Sequence, residues 1–434
     1  MGWKDYQKNV TRKSVSKKRL RQIMLAGISF LAVLSIIQWL SALELPRQKK
    51  QPDADISSQS IELPIEAVTV GAPRIKIFQN GQDVIYDLSI QPSLQKFVDQ
   101  KLEKYNVDWA GVAVMEPSSG RVLALSSYSA KNPEHSQLSL AASFPAASIF
   151  KVVTASALLE ETPQSGDSVF TYAGDMRRIN SKYLHSHYRG TQMSLTKAFA
   201  MSANGIFGVI GSQYLNADLL KQYAKQFGFN ESIPFELPIE VSTLEVDSES
   251  SELSVAKLAA GFGQVTLSPL HGAMIASSIV NNGNMMKPTI IDQISTQDET
   301  LYRMEPVVWK TSFSSANAKD LQVMMKKTVT SGTARKAFGR AKYQNVLKNL
   351  EIGGKTGSLF GTNPKGRNEW FVSYAKDPDS GQALAVGIVI VNEKYWKIKP
   401  AQLSNWIYQE YFKHQNAENV VASQRQVHGR KIDS

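Results

Sequence analysis

The stretch SFPAASIFKVVTASALLE, Ser143 to Glu160, restricts the possible folds more than any other part of the chain. From Ala147 to Leu159 it is apolar on every side except at Ser148, Lys151, Thr154 and Ser156. A helix that is apolar all round is buried all round, so the fold must place packing partners on every side of it. Within this helix a lysine follows a serine by three residues. Residues three apart on a helix are neighbours, so the amine can reach the hydroxyl. Ser148 falls in the first turn, where backbone N–H groups are unpaired and the dipole is positive, a place to stabilise an oxyanion. A lysine in apolar surroundings loses the solvation of its charged form and its pKa falls. The neutral amine can then take the serine proton. The ordinary alternative is a chance S-x-x-K spacing with a solvated lysine. The apolar flanks weigh against it, because a fully buried, unpaired lysine is rare.

The rest of the chain supplies the partners. Residues 88–106 place Leu94, Phe97, Val98 and Leu102 at helical spacing after Ser89 and Pro92. Residues 109–127 read as two strands around a short turn at 116–120, a hairpin. The middle is mostly helical: 195–215, 217–229, a helix opened by Ser268 and Pro269 and stopped at Gly283, and a capped helix from Ser315. LEIGGKTGSLF, EWFVSYAKD and ALAVGIVIV then read as three strands, and AQLSNWIYQEYF as a closing amphipathic helix. Strands lie at both ends and helices between. The expected fold class is α/β of the α+β type, one antiparallel sheet packed between helices.

Charge is unevenly placed. The formal net charge is +11, but residues 1–21 alone contribute +7 and residues 413–434 contribute +2, which leaves +2 for the body. A nucleic-acid protein spreads basic charge over a folded face, so nucleic acid is excluded as a partner. After the basic tail, Gln22–Leu43 carries no charged residue. As a helix this run would span about 33 Å, matching a hydrocarbon core of about 30 Å. Basic residues before it place that end in the cytoplasm. The expectation is an uncleaved, single-pass anchor in the cytoplasmic (inner) membrane, since the run is long for a signal peptide and no clear Ala-x-Ala site follows it. The expected organisation is a cytoplasmic tail (1–21), an anchor (22–43), a linker (44–77), a globular domain (78–413) and a polar tail (414–434). The chain has no cysteine, which excludes disulfides and thiol chemistry. The six histidines form no H-E-x-x-H pattern, and HSH at 185–187 reads as a polar loop; no metal or cofactor is expected.

Two further motifs join Ser148 and Lys151. MSANG supplies Ser202 and Asn204 within a helical region, where a Gly and two cap-formers suit a turn facing a cleft. GGKTGSLFG supplies Lys355, Thr356, Gly357 and Ser358 on an expected strand, whose glycines let a substrate backbone come close. Each alone is weak. In the order S-x-x-K, S-x-N, K-T-G the set is specific, and it is the set of penicillin-binding proteins and class A β-lactamases. The chain resembles the penicillin-binding protein transpeptidase family over about residues 79–412, also in VAVMEPSSGRVLALSS, LTKAFAMSANGIF, TSGTARKA and EWFVSYAKD. The resemblance implies a penicillin-binding transpeptidase/β-lactamase-like fold. It makes Ser148 the acylated nucleophile and Lys151 the general base, with Ser202 and Asn204 relaying protons and holding the substrate amide. Lys355, Thr356 and Ser358 would bind the terminal carboxylate of a D-alanyl-D-alanine stem peptide, beside Gly357. The N–H groups of Ser148 and Ser358 would form the oxyanion hole. The implied partners are peptidoglycan stem peptides, β-lactams, the cytoplasmic membrane and other cell-wall synthesis proteins.

The chain departs from the family pattern at three places. Ala146 and Ala147 stand where a Gly-rich turn is usual, and Ser358 where Thr is commoner. Residues 44–105 are too few for the sizeable pedestal of class B members or the glycosyltransferase domain of class A. The competing readings are a D,D-carboxypeptidase, with water as acceptor, a β-lactamase, and a β-lactam sensor or silent scaffold. No Glu-x-x-Leu-Asn and no Tyr-Gly-Asn occurs between Ser202 and Lys355, which disfavours the β-lactamase.

Overall fold

The computed structural model describes Leu63, Val68 and residues 71–413, apart from 135–136, 186–188 and 340–343. The expected anchor at Gln22–Leu43, the basic tail and the tail after residue 413 lie outside the described residues. Among the described residues no helix is long and apolar enough to cross a membrane.

Five strands form the central sheet: β1 (Trp109–Met115), β2 (Val122–Tyr128), β3 (Glu351–Thr362), β4 (Lys365–Lys376) and β5 (Ala383–Asn392). Their order is β3-β4-β5-β1-β2, antiparallel throughout. The early hairpin and the late strands are therefore one sheet, joined where β5 pairs β1, with Val389 opposite Gly111. The strands are apolar on both faces because both faces are covered. Along β5, Ala385, Val389 and Val391 enter one core, and Val386, Ile388 and Ile390 the other.

The helices that bear on the site are α1 (Pro92–Lys104), α2 (Lys151–Glu161), α3 (Leu195–Ala200), α4 (Asn204–Gln213), α5 (Glu252–Ala259), α6 (Pro269–Val280), α7 (Ser315–Thr330) and α8 (400–413). On one face of the sheet, Leu94, Val98 and Leu102 of α1 share a core with Leu403, Ile407 and Tyr408 of α8. On the other, α6 lies so close that a Cβ on Gly387 would stand 2.0 Å from Pro269 O; only glycine admits that approach. Beyond α6, α2 is enclosed on all sides, with every residue from Lys151 to Leu159 buried. Its hydroxyls find carbonyl partners: Thr154 Oγ1 donates to Ala259 O (2.8 Å) and Ser156 Oγ to Val152 O (2.9 Å).

Three expectations need correction. Order begins before Phe78: the first strand runs Arg74–Gln79, and Leu63 and Val68 are buried in the core. The alternation of Ile75 and Ile77 with charged residues is a strand signal hidden in a polar composition. It leads into an Asn80–Gly81 hairpin turn with both φ positive, at 50° and 83°. The second strand of this hairpin, Gln82–Leu88, pairs with Ile291–Ser295, which in turn pairs with Thr300–Arg303, in a second, four-stranded sheet, so the domain has more than the one sheet expected. Third, the helix from Ser315 has no side-chain cap. The hydroxyl of Ser314 donates instead to Glu160 Oε1 (2.7 Å), and so does its backbone N–H (2.8 Å), which ties α7 to the end of α2.

Candidate active site

Ser148 sits not in an α-helical turn but in a single 3₁₀ turn, Ala147–Phe150, immediately before α2. In a 3₁₀ turn side chains at i and i+3 eclipse, which brings Lys151 Nζ to 2.9 Å from Ser148 Oγ. The turn begins with Ala147 at φ 51°. Glycine would adopt that left-handed backbone freely; alanine pays about 1 kcal/mol for it. Ala147 is held by the end of α5, where Gly261, at φ 86°, lies against it: a Cβ there would stand 2.1 Å from Ala147 O. Ser202, in the break between α3 and α4, is also left-handed, at φ 55°. Non-glycine residues in this region are uncommon and cluster at functional sites. Here one immediately precedes Ser148 and the other is Ser202 itself.

Lys151 is fully buried but not unpaired, which corrects the reading of the sequence. Besides Ser148 Oγ, its amine meets Asn204 Oδ1 (2.8 Å) and Ala260 O. Burial, and next the charge of Lys355, push its pKa well below the usual lysine value. A neutral amine has two N–H donors and one lone pair. Asn204 Oδ1 and Ala260 O can only accept, so they use both donors and the lone pair is left facing the Ser148 hydroxyl. Asn204, first residue of α4, also donates from Nδ2 to Arg177 O (2.8 Å), leaving one N–H of its amide for a ligand.

Lys355 is the second fully buried amine. It donates to Ser202 Oγ (3.0 Å) and Thr356 O (2.8 Å). Burial lowers its pKa from 10.5 to about 7. Thr356 Oγ1 lies 2.6 Å from Thr333 Oγ1, and Ser358 Oγ accepts from Arg367 Nε at 2.8 Å. Thr356 and Ser358 alternate with Gly357, whose absent side chain leaves room for Ile149 of the 3₁₀ turn that carries Ser148. β3 is an edge strand, so alternate N–H groups along its outer side are not taken by the sheet. Among the described residues no Asp or Glu side chain is bonded to Ser148, Lys151, Ser202, Asn204 or Lys355.

All eight residues singled out from the sequence thus lie in or beside one cleft between α2, α4 and β3. Sequence reasoning missed Ala260, which takes a lysine donor with its backbone, and Thr333 and Arg367, which bond the strand hydroxyls. Gly261, just past the α5 C-cap, was the available signal for Ala260, as a helix stop, and Thr333 lies within TSGTARKA, one of the stretches that carry the resemblance.

The buried amines have a consequence for stability. Between pH 7 and 10.5 the Lys355 amine is protonated in the unfolded chain and neutral in the folded one, so raising the pH favours folding. Lys151 acts in the same direction. Thermal melts should therefore show stability rising from pH 7 towards 10, by up to about 1.4 kcal/mol per pH unit for each amine. Lys355→Met should remove one proton's share of that slope. An unchanged slope in the variant would show that Lys355 stays charged on folding.

Comparison with known proteins was made on sequence and on structure. Residues 110–409 match the family model for the penicillin binding protein transpeptidase domain. The Mycobacterium tuberculosis peptidoglycan D,D-transpeptidase PbpA is 25% identical over 341 residues, covering 70% of this chain and 67% of that protein. Penicillin-binding protein 3 of Bacillus subtilis is 31% identical over 207 residues, covering 46% of this chain but only 28% of the relative. Among solved structures, the D,D-transpeptidase domain of a peptidoglycan glycosyltransferase from Eggerthella lenta superposes with a TM-score of 0.63 at 23% identity, covering 76% of this chain and 83% of that one.

Proposed function

The chain belongs to the penicillin-binding protein transpeptidase family, and we propose that it is a serine D,D-transpeptidase that cross-links peptidoglycan stem peptides and is acylated by β-lactams. The observation that carries this reading is the orientation of the Lys151 amine. With both N–H groups engaged by Asn204 and Ala260, its lone pair is aimed at Ser148.

In the first step Lys151 takes the Ser148 proton as Oγ attacks the carbonyl carbon of the penultimate D-alanine. The N–H groups of Ser148 and Ser358 receive the oxyanion. The bond to the terminal D-alanine nitrogen breaks, and that nitrogen regains a proton through Lys151 and Ser202. In the second step an amine of another stem peptide attacks the acyl-enzyme, loses its proton along the same route and restores the serine hydroxyl. The remaining Asn204 N–H holds the donor amide on its acyl side. Thr356 and Ser358 take the terminal carboxylate; an arriving anion favours the charged form of Lys355 next to them. A rapid β-lactamase needs a base for water, and no carboxylate bonds to the five catalytic residues among those described. This supports a persistent adduct.

Family membership is consistent with a membrane location. The run Gln22–Leu43 would be the anchor, with the N-terminus cytoplasmic, the residues between it and the core residue Leu63 the tether, and the catalytic domain on the outer side, where stem peptides and other cell-wall synthesis proteins are met.

The test is to incubate the full-length chain in detergent with fluorescent penicillin and then with donor and acceptor stem peptides. A lasting adduct followed by peptide dimers is expected. Free tetrapeptide without dimers would make the enzyme a carboxypeptidase, loss of the label within seconds a β-lactamase, and absence of label would overturn the acyl-enzyme itself.

A further inference from the structure

Residues 173–185 form a loop that lies directly over the catalytic asparagine. Met176 O accepts from Gly205 N (3.0 Å), and Arg177 O from Asn204 Nδ2 (2.8 Å). Its base is clamped by Tyr172, whose hydroxyl donates to Arg178 O and accepts from Asn180 N, both at 2.9 Å. The Tyr172 ring is packed so closely on α4 that a Cβ on Gly205 would stand 2.2 Å from it. The loop is thus fixed to the site by its backbone, and Leu184, Met176, Ile179 and Tyr183 anchor it to the core, while its charged side chains face solvent. Arg177, Arg178 and Lys182 are all exposed. Against Asp175, the one carboxylate of the loop, they give it a net charge of +2. That equals the entire net charge of residues 22–412, so the rest of the body is neutral. Asp175 bonds Arg177, and no ion pair of Arg178 or Lys182 occurs among the described residues.

The loop's charge, concentrated beside Asn204, focuses a field on whatever comes past that residue. The guanidinium fork matches a carboxylate in particular. We infer that this loop reads a carboxylate on the acyl side of the donor, so that the enzyme selects donors with a free anionic group upstream of the bond being cleaved over amidated or neutral ones. The inference rests on the acyl-transfer reading, in which the last Asn204 N–H marks the acyl side.

The experiment compares two penicillins that differ only in a carboxylate on the acyl side chain. Each competes with fluorescent penicillin for full-length protein in detergent. Replacing Arg177, Arg178 and Lys182 together by glutamine should slow acylation by the compound with the extra carboxylate by about fivefold to tenfold and leave the one with the uncharged side chain unchanged. Wild type in about 0.5 M NaCl should show the same selective loss, and Arg177→Lys with Arg178→Lys should keep most of the preference. Equal slowing of both compounds, or of neither, overturns the inference. Failure of both to label wild type overturns the acyl-enzyme reading first, and this one with it.

Discussion

Lys151→Met should leave the domain folded and slow acylation of Ser148 by on the order of 10³ to 10⁴, the usual worth of a positioned general base. Methionine fills the same volume, so no cavity opens. What changes is the hydrogen bonding around it. Ala260 O and Asn204 Oδ1 lose their donor, at a cost of about 1–3 kcal/mol for each buried acceptor left without a partner. In the other direction, the chain no longer has to strip a lysine of its proton and solvation on folding. The two effects oppose, so the melting temperature near pH 7 should move by only a few degrees while labelling by fluorescent penicillin collapses. Acylation near the wild-type rate would place the base elsewhere. A variant that fails to fold would mean that the three oxygens around the amine, rather than its basicity, explain its position.

Ser148→Ala should abolish the covalent adduct altogether, a loss of about 10⁶ in the chemical step by comparison with other serine nucleophiles. Mass spectrometry of the labelled wild type should place the acyl group on the peptide containing Ser148. The fold should be almost untouched. Ser148 is only half-buried and gives up one contact to Lys151, worth about 0.5–1.5 kcal/mol, while the amine keeps its two carbonyl partners. Label retained on the alanine variant, or found on Ser202, would dismiss Ser148 as the nucleophile.

The residues of the cleft were legible because each combines an unusual side chain with an unusual setting. A lysine in an apolar helix, a serine and asparagine at a break between helices, and a lysine followed by Thr-Gly-Ser on a strand are all costly unless something uses them. The continuous apolar runs of β1 and β5 were equally plain, because a sheet covered on both faces leaves no polar alternation. The strand at Arg74–Gln79 was harder to see, because a strand exposed on one side is written in the charged residues that also mark a linker.

Other features carry no signature in the chain. Ala260 acts through its carbonyl oxygen, which every residue has. Thr333 and Arg367 matter only because β3 brings Thr356 and Ser358 beside them. Ala147 looked like a departure from a glycine-rich turn; the structure shows the left-handed backbone such a turn would use, held in place by Gly261 more than a hundred residues away.

The sequence by itself determined which groups could do the chemistry, because burial and spacing along one helix already make the Lys151 amine a candidate base for Ser148. Which way that amine points was decided only by the tertiary structure. Its direction depends on two acceptors, Asn204 Oδ1 and Ala260 O, that arrive from elements 53 and 109 residues further along the chain, and a hydrogen bond's direction is a property of all the partners at once.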